Sequence, residues 1–186
     1  TPSSATSTVT GLSLGTNTFQ WTITNGSCPS SSDQVNIIVS ALPTTSNAGS
    51  DQNLCNVTSS SFAGNTPVVG TGLWTLIAGT GTITTPSSPT SAVSGLSVGT
   101  NTFQWTITNG SCPSSSDQMS IIISALPTTS NAGPDQNLCN VTSSVFAGNS
   151  PIVGTGLWTL IAGTGTISTP SSATSTVTGL SLGTNT

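Results

Sequence analysis

Apolar and polar side chains alternate along several short stretches of this chain. Residues 18–24 alternate aromatic or β-branched side chains with polar ones, and residues 35–39 do so again. A period of two, carried by aromatic and β-branched residues, is typical of half-buried β-strands. No stretch has the period of an amphipathic helix. The pattern therefore predicts an all-β fold.

Six stretches within one block of the chain are predicted strands: 51–55, 57–64, 72–79, 90–96, 101–108 and 117–124. Clusters of Gly, Pro and Ser separate them, and short strands at this spacing are typical of a β-sandwich. Asn109 and Gly110 are predicted to supply the positive-φ residues of a hairpin turn. Trp74 and Trp105 are predicted core residues on facing strands, because buried aromatic side chains normally pack against one another. Residues 41–49 are interpreted as a linker between domains.

The pattern repeats every 84 residues. Residues 18–34 recur at 102–118, residues 70–83 recur at 154–167, and the last eighteen residues are identical to the first eighteen. Self-similarity at a fixed period predicts tandem repeats, each contacting its neighbours. We therefore interpret the chain as part of a longer repetitive polymer. We divide it into the C-terminal part of one repeat, a complete β-sandwich repeat and the N-terminal part of the next: 1–40, 41–124 and 125–186.

The charge of the chain bears on its partners. It contains no Lys, Arg or His, and its net charge is −4. Binding to nucleic acid or to an anionic membrane surface uses cationic side chains. No apolar run approaches the roughly 20 residues of a membrane span. We therefore predict no nucleic-acid partner and no membrane insertion in this part of the chain.

Catalytic and metal chemistry would need side chains that the composition lacks. A serine nucleophile needs a His or Lys base, and a zinc site needs clustered Cys or His ligands. The carboxylates all precede Gln, and we interpret them as turn-capping residues rather than a hydrolytic pair or calcium ligands: Asp33, Asp51, Asp117 and Asp135. We predict no enzyme activity and no catalytic, cofactor-binding or metal-binding residue.

Three stretches resemble a known group of repeats: NAGPDQNLC, GLSVGTNTFQWTITNGSCPSSSDQ and GTGLWTLIAGTGTI. They are similar to PKD-like, immunoglobulin-like repeats of large secreted surface proteins of Bacteroidota, and the resemblance covers the whole chain. It implies β-sandwich modules in a long extracellular chain of the adhesin or fibril type. The Trp-Asp-Phe-Gly-Asp-Gly core of true PKD domains is absent, because Trp74 is followed by Thr75 and Leu76. The resemblance is therefore to the looser PKD-like group.

Each repeat contributes two cysteines, which are disulfide candidates: Cys28, Cys55, Cys112 and Cys139. With no metal partners and no activating base beside them, disulfides are the expected role, and these form outside the cytosol. Three pairings are open. The habit of the resembling family favours Cys55–Cys112 within one repeat. An immunoglobulin-like topology places these two at opposite ends of a sandwich, which favours a bond between neighbouring repeats. The third option pairs cysteines across the linker, Cys28 with Cys55 and Cys112 with Cys139.

Four Asn-x-Ser/Thr triplets recur in register and are glycosylation candidates: Asn25, Asn56, Asn109 and Asn140. Such triplets also arise by chance in a chain rich in Ser and Thr. A chain with so few charges would nevertheless gain solubility from surface glycans. Covalent glycans are the only non-protein group that we predict.

These observations predict a structural extracellular protein that builds a long rod or fibril, stabilised by disulfides and carrying glycans. Its partners are adjacent repeats of the same chain and identical chains in a filament. The alternative is a cell-surface adhesin stalk or a carbohydrate-binding module, which exposed aromatic side chains would support. A scaffold repeat within a large secreted enzyme is a third interpretation. All three place the protein outside the cell or at its surface.

Overall fold

A computed structural model describes residues 3–186. The chain divides into two compact units, Thr1–Ile123 and Ser124–Thr186. Every regular element in residues 3–186 is a β-strand, so the all-β prediction is confirmed. Over the same residues, no helix has the length and apolar character needed to cross a membrane.

The block 41–124 forms two sheets. Its strands are β3 (Gln52–Cys55), β4 (Ser59–Ser61), β5 (Thr71–Ala78), β6 (Thr82–Ile83), β7 (Ala92–Ser94), β8 (Gly99–Thr108) and β9 (Ser115–Ser124). One sheet has the order β3-β9-β8-β5 and the other β4-β7-β6. All six predicted strands are present, with shifted ends. The sequence analysis missed β6, because two residues are too few to show a period.

The core of this block lies between the two sheets. Strand β8 buries every second side chain, and β9 does the same from Met119 onward. The apolar residues among them form one cluster with Phe62 and with Val93 of the other sheet. The two sheets therefore pack face to face as a sandwich.

Four aromatic rings fill the centre of the sandwich. Phe62 stacks on Trp74 with ring centroids 4.1 Å apart, and Trp74 lies 5.1 Å from Trp105. Both tryptophans are buried, as predicted. They lie on the neighbouring strands β5 and β8 of one sheet, directly opposite each other in the ladder, rather than on facing strands.

Residues 41–49 are part of the sandwich, so their interpretation as a linker is wrong. Ala48 and Ser46 are buried. Thr44 donates its backbone N–H to the carbonyl of Val69, and its hydroxyl accepts hydrogen bonds from two backbone N–H groups. A Pro-containing and polar composition suggested a linker, but these backbone and hydroxyl groups pair with distant parts of the same repeat.

Residues 15–39 form a hairpin of β1 (Gly15–Ile23) and β2 (Ser31–Val39). Its register is that of β8 and β9: Trp21 lies opposite Asp33 as Trp105 lies opposite Asp117. Within residues 3–186 the hairpin is a two-stranded sheet with no further strand on either edge.

The second unit contains β10 (Ser143–Val145), β11 (Thr166–Ile167) and β12 (Thr176–Thr178), in the order β10-β12-β11. This sheet corresponds to β4-β7-β6 of the complete block. The counterparts of β3 and β5, residues 136–139 and 155–162, form no strand. In the complete block β3 pairs with β9 and β5 with β8, and the second unit has no such pair of central strands.

Candidate functional site at the repeat junction

Side chains of the turn between β8 and β9 hydrogen-bond to the backbone of residues 40–41, which connects the β1–β2 hairpin to the complete block. The side-chain amide of Asn109 donates to the carbonyl of Ala41 at 2.8 Å. The Cys112 thiol donates to the same carbonyl at 3.2 Å, and its sulfur lies 3.4 Å from the carbonyl oxygen of Ser40. We call this arrangement the junction clasp. It joins the end of β2 to the start of the complete block.

Glycine is required at one position of the clasp. Gly110 has φ +56°, and a Cβ there would lie 2.6 Å from the hydroxyl of Ser40. The prediction that Asn109 shares the positive φ is wrong. The backbone carbonyl of Asn109 accepts a hydrogen bond from the N–H of Cys112, and the side-chain amide of Asn109 donates to Ala41.

A second set of contacts sets the register between β9 and the segment that leads into β3. Three connections, each across a sequence offset of 69, link the two: Ser46–Ser115, Ala48–Asp117 and Asp51–Ser120. A constant offset means that the segments run parallel. Cys55, at the end of β3, is therefore level with the end of β9.

Two of the carboxylates make these contacts, so their interpretation as turn caps is wrong. Asp117 accepts from the backbone N–H of Ala48 at 2.8 Å, and Asp51 accepts from that of Ser120 at 2.8 Å. Both bonds join segments that are far apart in sequence. Asp33, in contrast, accepts from the N–H of its neighbour Gln34.

Asp117→Ala is expected to destabilise the complete block by about 1–2 kcal/mol, because the N–H of Ala48 loses a charged acceptor in a partly buried position. Asp33→Ala is the matched control, since Asp33 has the same sequence context but its carboxylate accepts from the N–H of its neighbour Gln34 rather than from a distant segment, and the substitution should change stability by less than about 0.5 kcal/mol. Urea unfolding followed by near-ultraviolet circular dichroism measures both. Equal losses for the two variants would contradict the role of Asp117 in joining β9 to the segment that leads into β3.

The structure separates the two cysteines of one repeat. Cys112 lies at the junction clasp, before the start of β9, and Cys55 is level with its end. The two cysteines are separated by most of the length of the ten-residue strand β9. At about 3.3 Å per residue, this separation is about 30 Å. A disulfide requires Cα atoms within about 7 Å, so this geometry excludes Cys55–Cys112 within one repeat. All four cysteines are free thiols in this structure, and all but Cys112 are exposed.

The four sequon asparagines differ in their surroundings. Asn25, Asn56 and Asn140 are exposed, and the last two have φ +51° at a tight turn after the cysteine. Asn109 is half-buried, and its amide donates to Ala41 in the junction clasp. Three of the four candidates are therefore open to a modifying enzyme, and the fourth is already engaged.

The sequence analysis missed Asn101, the most deeply buried polar residue among residues 3–186. It is fully buried, and its amide donates to the carbonyls of Ser97 and Ile121 at 2.9 and 3.3 Å. Its oxygen accepts from the backbone N–H of Thr80 at 2.8 Å. The available signal was the recurrence of Asn in the sequence Gly-Thr-Asn-Thr, at Asn17 and Asn185 as well.

The comparisons with known proteins find similarity among solved structures. No protein-family model matches the chain, and no curated protein matches it. Among solved structures, the chain is similar to the solution structure of the PKD domain from KIAA 1837 protein. The two are 23% identical, with a TM-score of 0.39, over 50% of this chain and 93% of that domain.

Proposed function

We propose that this chain is a structural segment of an extracellular rod or fibril, built from tandem β-sandwich repeats. The observation that carries the proposal is the junction clasp, in which Asn109 and Cys112 hold the backbone of residues 40–41. The turn sequence at 25–33 and the sequence that follows Ser40 recur 84 residues later. The same contacts can therefore form at every junction, which restrains each repeat against the one before it. A rod lengthens with each added repeat.

The alternative function is an adhesin stalk or a carbohydrate-binding module. Sugar-binding platforms use exposed aromatic faces, but all four aromatic side chains of the complete block lie in its core: Phe62, Trp74, Phe103 and Trp105. This observation favours the structural role over carbohydrate binding. An adhesin stalk differs from a fibril only in what its ends carry.

Disulfides in such a rod would join successive repeats. Cys55 is level with Ser124, the last residue of β9. The counterpart of Ser124 in the preceding repeat is Ser40, whose carbonyl oxygen lies 3.4 Å from the sulfur of Cys112. The β3 cysteine of one repeat and the turn cysteine of the next therefore approach the same junction. Oxidation would transfer two electrons and two protons from the thiols to an acceptor such as oxidised glutathione.

A non-reducing peptide map tests this pairing. The 186-residue chain contains no β3 cysteine followed by the turn cysteine of the next repeat, so a dilute monomer treated with oxidised glutathione should show free thiols and mixed disulfides with glutathione, but no bond between two of its own cysteines. Pairing within the complete block would instead link Cys55 to Cys112, and pairing across residues 41–49 would link Cys28 to Cys55 and Cys112 to Cys139. Either of these links contradicts a bond between the β3 cysteine of one repeat and the turn cysteine of the next.

Glycans are the second modification that we propose, at the exposed sequons. Mass spectrometry of the native protein should find added hexose or hexosamine masses on peptides that contain Asn56 or Asn140. The peptide with Asn109 should be unmodified, because the side-chain nitrogen that would carry the glycan already donates a hydrogen bond to Ala41 in the junction clasp. Unmodified masses for all sequon peptides would contradict this part of the proposal.

Electron microscopy of the native material tests the rod itself. A regular filament with an axial repeat of one or two sandwiches is the expected result. Flexible strings anchored to cells, with a distinct structure at the tip, would instead support the adhesin stalk. Globular particles with no axial repeat would contradict both.

A further inference from the structure

We propose that the outer face of the four-stranded sheet is an interface between two copies of this chain. The outer face is the side of the β3-β9-β8-β5 sheet that points away from the sandwich core. Two copies would meet there face to face, with the same residues on both sides. The inference rests on the proposed fibril, and it names the surface through which neighbouring chains of the fibril contact one another.

The outer face carries uncharged polar side chains. In the middle of β8 and β9, polar residues alternate with buried apolar ones, so the polar side chains point away from the core. Asp117, the carboxylate of β9, is on the core side, because it lies directly opposite Trp105. β5 adds Leu73, which is 50% exposed and lies opposite Thr106. The central residues of the outer face are therefore uncharged: Thr102, Gln104, Thr106, Ser116, Gln118 and Ser120.

Two glutamines at the centre of the outer face are held by hydrogen bonds between strands. Gln118 donates from Nε2 to Oε1 of Gln104 at 2.9 Å, and Gln104 donates from Nε2 to the hydroxyl of Thr106 at 3.0 Å. A side-chain amide has two N–H donors and an oxygen with two lone pairs, so these bonds use only part of its capacity. Groups that both donate and accept can pair with identical groups across a two-fold axis.

The lack of charge favours an identical copy as the partner. At a two-fold contact, a residue near the axis meets the same residue of the other copy, so a charged residue there would meet its own charge. The centre of the outer face has no such residue. A strongly charged partner would, in turn, find no opposite charge on it. The face therefore suits a second uncharged polar surface, and a second copy supplies one.

The sheet is large enough for such a contact. Strands β3, β5, β8 and β9 contain 4, 8, 10 and 10 residues. At about 3.3 Å per residue and about 4.8 Å between strands, they cover about 500 Å². Two faces together bury about 1,000 Å², which reaches the size of a specific interface. The glutamine pair recurs 84 residues earlier, where Gln34 donates to Gln20. A rod therefore offers this pair once per repeat, and several contacts would strengthen one another.

Charges introduced at the glutamines test the interface. One variant carries Gln34→Lys with Gln118→Lys, and a second carries Gln34→Glu with Gln118→Glu. Either variant would place like charges against each other in a contact between identical copies. Sedimentation equilibrium should show the unaltered 186-residue chain associating as its concentration rises, and each variant alone associating at least tenfold more weakly. An equimolar mixture of the two variants should associate again, because opposite charges then meet.

Ser94→Lys with Thr178→Lys is the matched control. Both residues are exposed and lie on β7 and β12 of the three-stranded sheets, so this variant should associate like the unaltered chain. Mixed with the Glu variant, it should not restore the association of that variant, which separates local pairing from attraction between net charges. Far-ultraviolet circular dichroism should report the same strand content for all variants, so that lost association is not lost folding.

Three results would overturn the inference. The first is an unaltered chain that stays monomeric at millimolar concentration. The second is association that the Lys and Glu variants leave unchanged, or that their mixture fails to restore. The third is a monomeric chain that binds an uncharged polysaccharide such as cellulose and loses this binding in both charged variants, which would assign the outer face to that partner.

The outcome is independent of the test of the rod. Single filaments in the native material, together with a monomeric 186-residue chain, would overturn only the contact between copies. Association that is sensitive to the charged variants, with globular native particles, would overturn only the proposed function.

Discussion

Trp105→Ala is expected to destabilise the complete block by about 3–5 kcal/mol, the usual cost of removing a fully buried large aromatic side chain. The ring of Trp105 packs against Trp74 and fills the space beside Gly72, and its N–H satisfies the carbonyl of Asn65. The substitution removes this packing and leaves that carbonyl without a donor. For a domain of this size, such a loss is a large part of the total stability.

The chain contains its own control for this experiment. Trp21 lies in the identical sequence but is 42% exposed, so Trp21→Ala should leave the unfolding of the complete block within about 0.5 kcal/mol of the original. Urea unfolding in dilute solution, followed by far-ultraviolet circular dichroism, which does not depend on the removed ring, distinguishes the two. Equal effects on the free energy of unfolding would mean that Trp105 is not buried.

Asn101→Ala is expected to destabilise the same block by roughly 3 kcal/mol. The substitution removes a buried hydrogen bond to the carbonyl of Ile121 and two part-buried ones, to the N–H of Thr80 and the carbonyl of Ser97. A buried polar group left unsatisfied costs about 1–3 kcal/mol. The loss of the side chain also leaves a cavity in a fully buried position. Hydrogen exchange should show the N–H of Thr80 losing its protection first.

Asn17→Ala is the corresponding control. Its amide donates to the carbonyl of Ser13 at 2.8 Å, as that of Asn101 does to Ser97, but Asn17 is half-exposed. Water can replace the lost hydrogen bonds there, so we expect a cost below about 1 kcal/mol. A large effect of Asn17→Ala and none of Asn101→Ala would contradict the role of burial.

The sequence by itself determined the strands and their repetition. Alternation in residues 101–108 predicts a strand with one buried face, because successive side chains of a strand point to opposite sides. The structure has that strand, with Phe103, Trp105 and Ile107 inside. The recurrence of the same letters at 18–24 predicts the same local structure, and β1 and β2 have the register of β8 and β9.

The tertiary structure decided which secondary structure each copy of a repeated sequence adopts. Residues 70–83 and 154–167 are identical, yet only the first copy contains a long strand, because β8 lies beside it and supplies hydrogen-bonding partners. The roles of Asp51, Asp117 and Asn101 likewise depend on partners far away in sequence, which no local pattern can reveal. A strand's backbone groups pair with another strand. Local sequence can therefore propose a strand, and only the arrangement of the neighbours decides whether it forms and which of its side chains are buried.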